Sequence, residues 1–129
     1  MGQADEALQA ASNNLAAGLV RSAANRAYYA MFYAVLALLA VQKKETARHS
    51  AAISLFDSEF VKHAVLPKEL SRWLHDAFAL RQQADYAADR TVTAAQAKTG
   101  IDHAQVFVGR VRSVLQQHPS PGPTPPAAP

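Results

Sequence analysis

Residues 27–41 form a run of fifteen positions without a charged side chain, and three tyrosine hydroxyl groups are its only polar side-chain atoms. A membrane-spanning helix needs roughly 20 apolar residues, and Arg26 directly precedes this run. We therefore expect the run to be the central helix of a bundle, apolar nearly all round because it has neighbours on several sides. A membrane segment is the less favoured interpretation. Alanine dominates the apolar residues, which favours helices over strands.

Apolar residues at helical spacing predict five helices. They cover about residues 3–17, 20–42, 46 or 48 to 61, 67–86 and 93–115. Gly18 is typical of a helix C-terminus, Pro67 of a first helical turn, and Thr93 followed by Gln96 of a capping box. Five helices with short links predict an all-α fold, an antiparallel helical bundle over residues 1–117.

The C-terminal residues 118–129 contain six prolines and one glycine. Proline lacks the amide donor and fixes φ, so we expect a disordered or polyproline II tail. A ligand for a proline-reading domain is a less favoured alternative. The chain has no cysteine, which fits a cytoplasmic location. Its polar, acidic start does not resemble a signal peptide, and we expect no membrane association.

Charge and motifs exclude several classes of function. The net charge is +3, and the thirteen lysines and arginines are spread along the chain rather than clustered as in a dedicated DNA-binding domain. The histidines show no metal-ligand spacing. The sequence also lacks a Walker loop, a dinucleotide fingerprint and a zinc-protease motif. We expect neither a metal nor a cofactor.

Three polar stretches interrupt the apolar pattern, at residues 25–29, 48–50 and 81–86. Buried amide or guanidinium groups are unfavourable unless they are paired, so the first stretch must meet polar partners. The candidate catalytic residues are Arg81, Asp85, Tyr86 and His49, and the candidate substrate-binding residues are Asn25, Arg26, Tyr28 and Tyr29. The alternatives are a structural hydrogen-bond network, a helix cap at His49, and an Arg81–Asp85 surface pair worth at most about 1 kcal/mol.

The same stretches resemble the small stand-alone HEPN proteins. The similar segments are residues 25–32, 49–56, 59–62, 66–70 and 80–86, within a region of about residues 5–115. The resemblance implies an antiparallel helical bundle that forms a homodimer, with the polar motifs near the dimer cleft. Many members are metal-independent ribonucleases that use an arginine followed after four to six residues by a histidine. Others are toxins paired with a minimal nucleotidyltransferase antitoxin, which adds AMP to a tyrosine.

The sequence departs from the family's arginine–histidine pattern. At the permitted distances after Arg81 stand Tyr86, Ala87 and Ala88. His49 replaces the missing histidine only if the third helix delivers it to the cleft. The spacing of Arg112 and His118 fits the pattern, but we interpret it as chance because it lies where the last helix enters the tail. Arg81 suits phosphate binding, Asp85 would serve as a base if desolvated, and Tyr86, with a reference pKa of about 10, is a poor base.

Three hypotheses follow. The first is a HEPN toxin-like protein that binds RNA or a nucleotide in a dimer cleft, with ribonuclease activity left open. The second is a non-enzymatic partner of a minimal nucleotidyltransferase, in which Tyr86 or Tyr28 accepts AMP. The third is a structural helical adaptor, in which Arg81 and Asp85 stabilise the fold.

Overall fold

The structure, a computed structural model, describes residues 1–46, 48–86 and 92–117, without the side chains of residues 84–86. Within these ranges the chain forms helices and no strand. The helices are α1 (Gly2–Ala16), α2 (Val20–Val41), α3 (His49–Phe56), α4 (Lys68–Tyr86) and α5 (Ala94–Gln117). A π-helical turn, Asp57–Val61, continues α3 directly. The predicted all-α bundle of five helices is confirmed, with boundaries that agree within a few residues, whereas the π-helical turn was not predicted.

The long apolar run lies in α2, which contacts each of the other four α-helices. Eleven of its residues are buried, because it packs against neighbours around most of its circumference. By length and composition alone, α2 would also pass as a membrane-spanning helix, yet 56% of its most apolar window is buried inside the protein. This burial favours the central-helix interpretation, and the cytoplasmic location stays a prediction.

Consecutive long helices run antiparallel. A three-residue turn, residues 17–19, joins α1 to α2. Trp73 stacks on His103 between α4 and α5, and further along the same interface Leu80 and Gln96 line one cavity. The residue numbers of the facing residues increase along α4 and decrease along α5. These two helices are therefore antiparallel, and the end of α4 lies near the beginning of α5.

Three helical segments end in the same hydrogen-bonded turn. Gly18 has a φ of 79°, its N–H donates to the carbonyl of Leu15, and the N–H of Leu19 donates to that of Asn14. This is the Schellman motif, so the prediction from Gly18 is confirmed. The same motif ends α2 at Lys43 and the π-helical turn region at Ala64, with φ of 59° and 58°. Neither was predicted, because neither position carries glycine.

The start of α5 is held by reciprocal side-chain bonds. The backbone N–H of Gln96 donates to Thr93 Oγ1 at 3.1 Å, and that of Thr93 donates to Gln96 Oε1 at 2.9 Å. The predicted capping box is thus confirmed. α4 begins at Lys68, one residue after Pro67, whose carbonyl accepts from the N–H of Leu70 at 3.1 Å. The proline-rich tail, residues 118–129, lies outside the described residues and stays a prediction.

Candidate functional site

Side chains from α2, α3 and α4 meet around the fully buried ring of Tyr28. The Tyr28 hydroxyl is 2.6 Å from Nδ1 of His49, the first residue of α3. The guanidinium carbon of Arg81 lies 5.8 Å from the centroid of the Tyr28 ring and 5.4 Å from that of Tyr29. We call Tyr28, Tyr29, His49 and Arg81 the Tyr28 cluster. It unites residues that the sequence predicted separately in three helices.

Aromatic rings hold the His49 imidazole in one orientation. The imidazole stacks on the Phe32 ring with 4.2 Å between centroids and an interplanar angle of 7°. It also makes an edge-to-face contact with the Tyr29 ring, with 5.7 Å between centroids. Phe78 lies 6.1 Å away and nearly parallel. With Nδ1 bonded to Tyr28, the opposite nitrogen, Nε2, is the atom left for a ligand. Phe32 and Phe78 were not among the predicted site residues, although Phe32 follows Tyr28 at a spacing of four in the same helix.

Arg26 adds a second guanidinium beside the cluster. Its Nε and Nη2 donate to Asn25 Oδ1 at 3.2 and 3.0 Å, and its guanidinium carbon lies 4.8 Å from the centroid of the Tyr29 ring. Tyr29 therefore contacts both Arg26 and Arg81, and the Asn25 carbonyl positions Arg26. Two cations close to one half-buried aromatic ring make this surface attractive to phosphate.

The environment keeps Tyr28 and His49 neutral. Burial raises the pKa of the Tyr28 hydroxyl, and the positive charge of Arg81 only partly opposes this. Burial lowers the pKa of His49 from its ordinary value of 6.5, and the charge of Arg81 lowers it further. A neutral phenol and a neutral imidazole share one proton in their hydrogen bond.

Two arrangements of that proton are chemically distinct. If the phenol donates to Nδ1, the His49 proton sits on Nε2 and is a donor for a phosphate oxygen. If Nδ1–H donates to the phenolic oxygen, Nε2 carries a lone pair that can accept a proton. In the second arrangement the buried Tyr28 hydroxyl proton needs another acceptor, and the described residues record only the bond to His49 for this hydroxyl. The first arrangement satisfies the buried hydroxyl, so the resting site is better suited to binding an anion than to removing a proton.

The remaining predicted site residues are placed less completely. Asp85 and Tyr86 belong to α4, but their side chains lie outside the described part of the structure, so their catalytic roles stay predictions. Arg112 forms an ion pair with Asp5 of α1, which gives it a structural role. That its spacing to His118 matches the family's pattern by chance stays an interpretation, because His118 lies outside the described residues. Among the described residues, no group of three His, Asp or Glu side chains is arranged to hold a metal ion.

Comparison with known proteins agrees with this architecture. The family model of the HEPN domain matches residues 1–114. Two proteins of Methanocaldococcus jannaschii, each named "Putative toxin", are 30% and 32% identical to this chain. The alignments cover 88% of this chain and 77% and 84% of the two relatives. A protein of Gloeobacter violaceus named UPF0332 is 33% identical over 90% of this chain and 87% of its own length.

The chain belongs to the HEPN family. The family expected from the sequence is therefore confirmed.

Proposed function

We propose that this HEPN protein is a toxin that binds the phosphodiester backbone of RNA at the Tyr28 cluster. The names of the two archaeal relatives support the toxin role. The observation that carries the binding proposal is the 2.6 Å contact between Tyr28 and His49 beside the Arg81 guanidinium. Through this contact, α3 brings His49 close to Arg81, which has no histidine at the family's spacing after it in the sequence.

The chemistry of the cluster suits a phosphodiester. A planar guanidinium binds two phosphate oxygens with two parallel N–H groups, and Arg81 provides one beside the neutral His49. The imidazole Nε2–H would donate to the same phosphate or to its neighbour. Arg26, whose guanidinium lies over the Tyr29 ring, would contact an adjacent phosphate. The dimer cleft implied by the family resemblance is part of this proposal, with a second copy supplying the opposite wall.

Cleavage requires the other arrangement of the shared proton. On binding of RNA, the Tyr28 hydroxyl would have to turn its proton to a new acceptor, and the His49 proton would have to move from Nε2 to Nδ1, from which it is donated to the phenolic oxygen. His49 Nε2 would then take the proton of the 2′-hydroxyl. The 2′-oxygen would then bond to phosphorus while the bond to the 5′-oxygen breaks, and that oxygen would take a proton from an acid or from water. Arg81 would stabilise the charge that develops on the phosphate. The products are a 2′,3′-cyclic phosphate and a 5′-hydroxyl.

Binding and cleavage are tested together on total RNA and transfer RNA in EDTA. Arg81→Ala should weaken RNA binding at least tenfold, because a charge-assisted contact to phosphate is lost. Arg72→Ala is the matched control, since Arg72 is an exposed cation on the same helix. An equal loss of RNA affinity in both variants would show that only the overall positive charge matters. Unchanged RNA binding by Arg81→Ala would refute the proposed phosphate site. Cleavage that disappears in both Arg81→Ala and His49→Gln would assign the ribonuclease activity to this cluster.

A second candidate function is a non-enzymatic partner of a minimal nucleotidyltransferase that accepts AMP on tyrosine. The absence of histidine at the expected positions after Arg81 favours it. Tyr28 is a poor acceptor, because its ring is fully buried and its raised pKa keeps the hydroxyl protonated. Tyr86 is therefore the preferred acceptor. Co-expression with such an enzyme, followed by intact-mass analysis of wild type and Tyr86→Phe, tests this function, and unmodified wild-type protein would count against it.

A further inference from the structure

A groove separates α4 from α5 and shares no lining residue with the Tyr28 cluster. Its volume is about 360 Å³, which lies in the range of small-ligand sites. At one end Trp73 of α4 stacks on His103 of α5, with centroids 4.3 Å apart and planes within 6°. Gly100 lines the same groove. Because each ring covers one face of the other, a planar ligand would stack on an outer face of this pair.

Besides His103, three polar side chains line this groove, those of Asp76, Gln96 and Thr99. Asp76 follows Trp73 by one turn of α4 and is exposed, and no ion pair is recorded for it among the described residues. Gln96 lies at the beginning of α5, and its Oε1 already accepts the N–H of Thr93 in the capping box. The Gln96 amide nitrogen is therefore left to donate to a ligand. Beyond the aromatic pair, the groove provides the Asp76 carboxylate as an acceptor, the Gln96 amide as a donor and the Thr99 hydroxyl.

This combination of groups fits one class of ligand. A planar heterocycle stacks on an aromatic ledge, and such stacking with a nucleobase is the usual way in which proteins hold unpaired RNA bases. A carboxylate can accept two parallel N–H groups. Among the four RNA bases in their neutral forms, only guanine presents such a pair, at N1 and at its 2-amino group. The guanine O6 and N7 atoms would accept from the Gln96 amide.

We propose that the groove between α4 and α5 binds a guanine base through the Trp73–His103 ledge and the Asp76 carboxylate. That this guanine belongs to single-stranded RNA rests on the proposed function. Trp73 and Arg81 lie on the same helix, eight positions apart, so they are separated by about 12 Å along its axis. A short single strand with one phosphate at Arg81 would place a nearby base in the groove, which gives the protein a preference for guanine near the bound phosphate.

The single tryptophan of the chain is a direct reporter of this site. Trp73 fluorescence is titrated with guanosine and with inosine, which differs only by lacking the 2-amino group. Guanosine should quench the emission saturably, and inosine should bind at least tenfold more weakly because one hydrogen bond to a charged acceptor is lost. Equal affinity for the two nucleosides, or no saturable quenching by guanosine, would overturn the proposal.

Two variants separate the groove from charge effects. Asp76→Asn should abolish the preference for guanosine over inosine, whereas Glu69→Gln, the same change at another exposed position of α4, should retain it. A preference for guanosine over inosine that survives in Asp76→Asn would contradict the proposal.

Short RNAs distinguish failure of this inference from failure of the proposed function. A uridine pentanucleotide with a central guanosine is compared with its inosine counterpart, in wild type and in Arg81→Ala. RNA binding that depends on Arg81 but ignores the central base would refute the groove and retain the phosphate site. Guanosine-specific quenching in a protein whose RNA binding ignores Arg81 would support the groove and refute the phosphate site.

Discussion

Replacing Tyr28 by phenylalanine removes one hydroxyl group and keeps the ring that fills the centre of the site. The ring contacts with Phe32 and Phe78, at 5.9 and 5.5 Å between centroids, should be retained because the two side chains have nearly the same shape. The hydrogen bond to His49, 2.6 Å long, is lost. The change in the free energy of unfolding therefore reports mainly on this bond.

The expected loss of stability is moderate. A typical intramolecular hydrogen bond contributes about 0.5–1.5 kcal/mol net. The hydroxyl group of Tyr28 is fully buried, but its partner His49 is only half-buried, so water can satisfy Nδ1 after the substitution. We expect a loss of about 1 kcal/mol, which for a chain of this size lowers the melting temperature by about 4 °C.

Urea denaturation above pH 7.5, where His49 is neutral, gives the free energy of unfolding. Tyr33→Phe is the matched control, because Tyr33 is a half-buried tyrosine in the same helix whose ring also packs beside Tyr29. No hydrogen bond of its hydroxyl is recorded among the described residues. The control should unfold within a few tenths of a kcal/mol of wild type.

Equal stability of Tyr28→Phe and Tyr33→Phe would refute this reasoning. The hydroxyl group of Tyr28 would then contribute nothing to holding the imidazole, and His49 would lose its place in the phosphate site. A loss above about 3 kcal/mol would be equally informative, because it exceeds one hydrogen bond and indicates that the ring packing has changed as well.

Further predictions concern two helix ends and the protonation of His49. Ala64→Gly should stabilise the protein by about 1 kcal/mol in urea denaturation, because position 64 has a φ of 58°, where a Cβ is unfavourable; unchanged or lower stability would contradict this. Thr93→Ala should cost about 1 kcal/mol by removing a capping-box bond, and Thr93→Ser should restore most of it. Arg81→Met should raise the pKa of His49 in an NMR titration, because the positive charge that helps to lower it is removed. The folded-state pKa of His49 lies below 6.5, so its contribution to stability should be complete above about pH 6.5 and be lost as the pH falls through the lowered pKa; a melting temperature that ignores pH in this window would contradict the assignment.

Local signals in the sequence were sufficient for the architecture of the helices. Apolar spacing predicted five helices because burial of one face imposes a helical period on the side chains. Gly18 and Thr93 predicted their helix ends because each satisfies backbone groups within a few residues of itself. The ends at Lys43 and Ala64 adopt the same turn without glycine, although both residues are exposed, and the two backbone hydrogen bonds of each turn oppose the cost of the unfavourable φ. They could not be predicted from residue type.

The candidate site was predicted as residue types and assembled only by packing. Nothing in the sequence determines whether His49, at the start of α3, faces α2 or solvent, because this depends on how α3 and α4 pack on α2. The tertiary structure places His49 in contact with Tyr28 and close enough to Arg81 for the positive charge to lower the pKa of His49, and this arrangement supports the proposed phosphate site.

The groove at Trp73 was not predicted at all, since Trp73 and His103 belong to helices whose separation is a property of the whole bundle. The sequence by itself determined the helices and the helix ends at Gly18 and Thr93, because those depend on local hydrogen bonding and on burial of one helix face. The family followed from the resemblance of its motifs to those of known proteins. Only the tertiary structure decided which polar side chains meet, because contact between distant residues depends on helix directions and distances that no local pattern encodes.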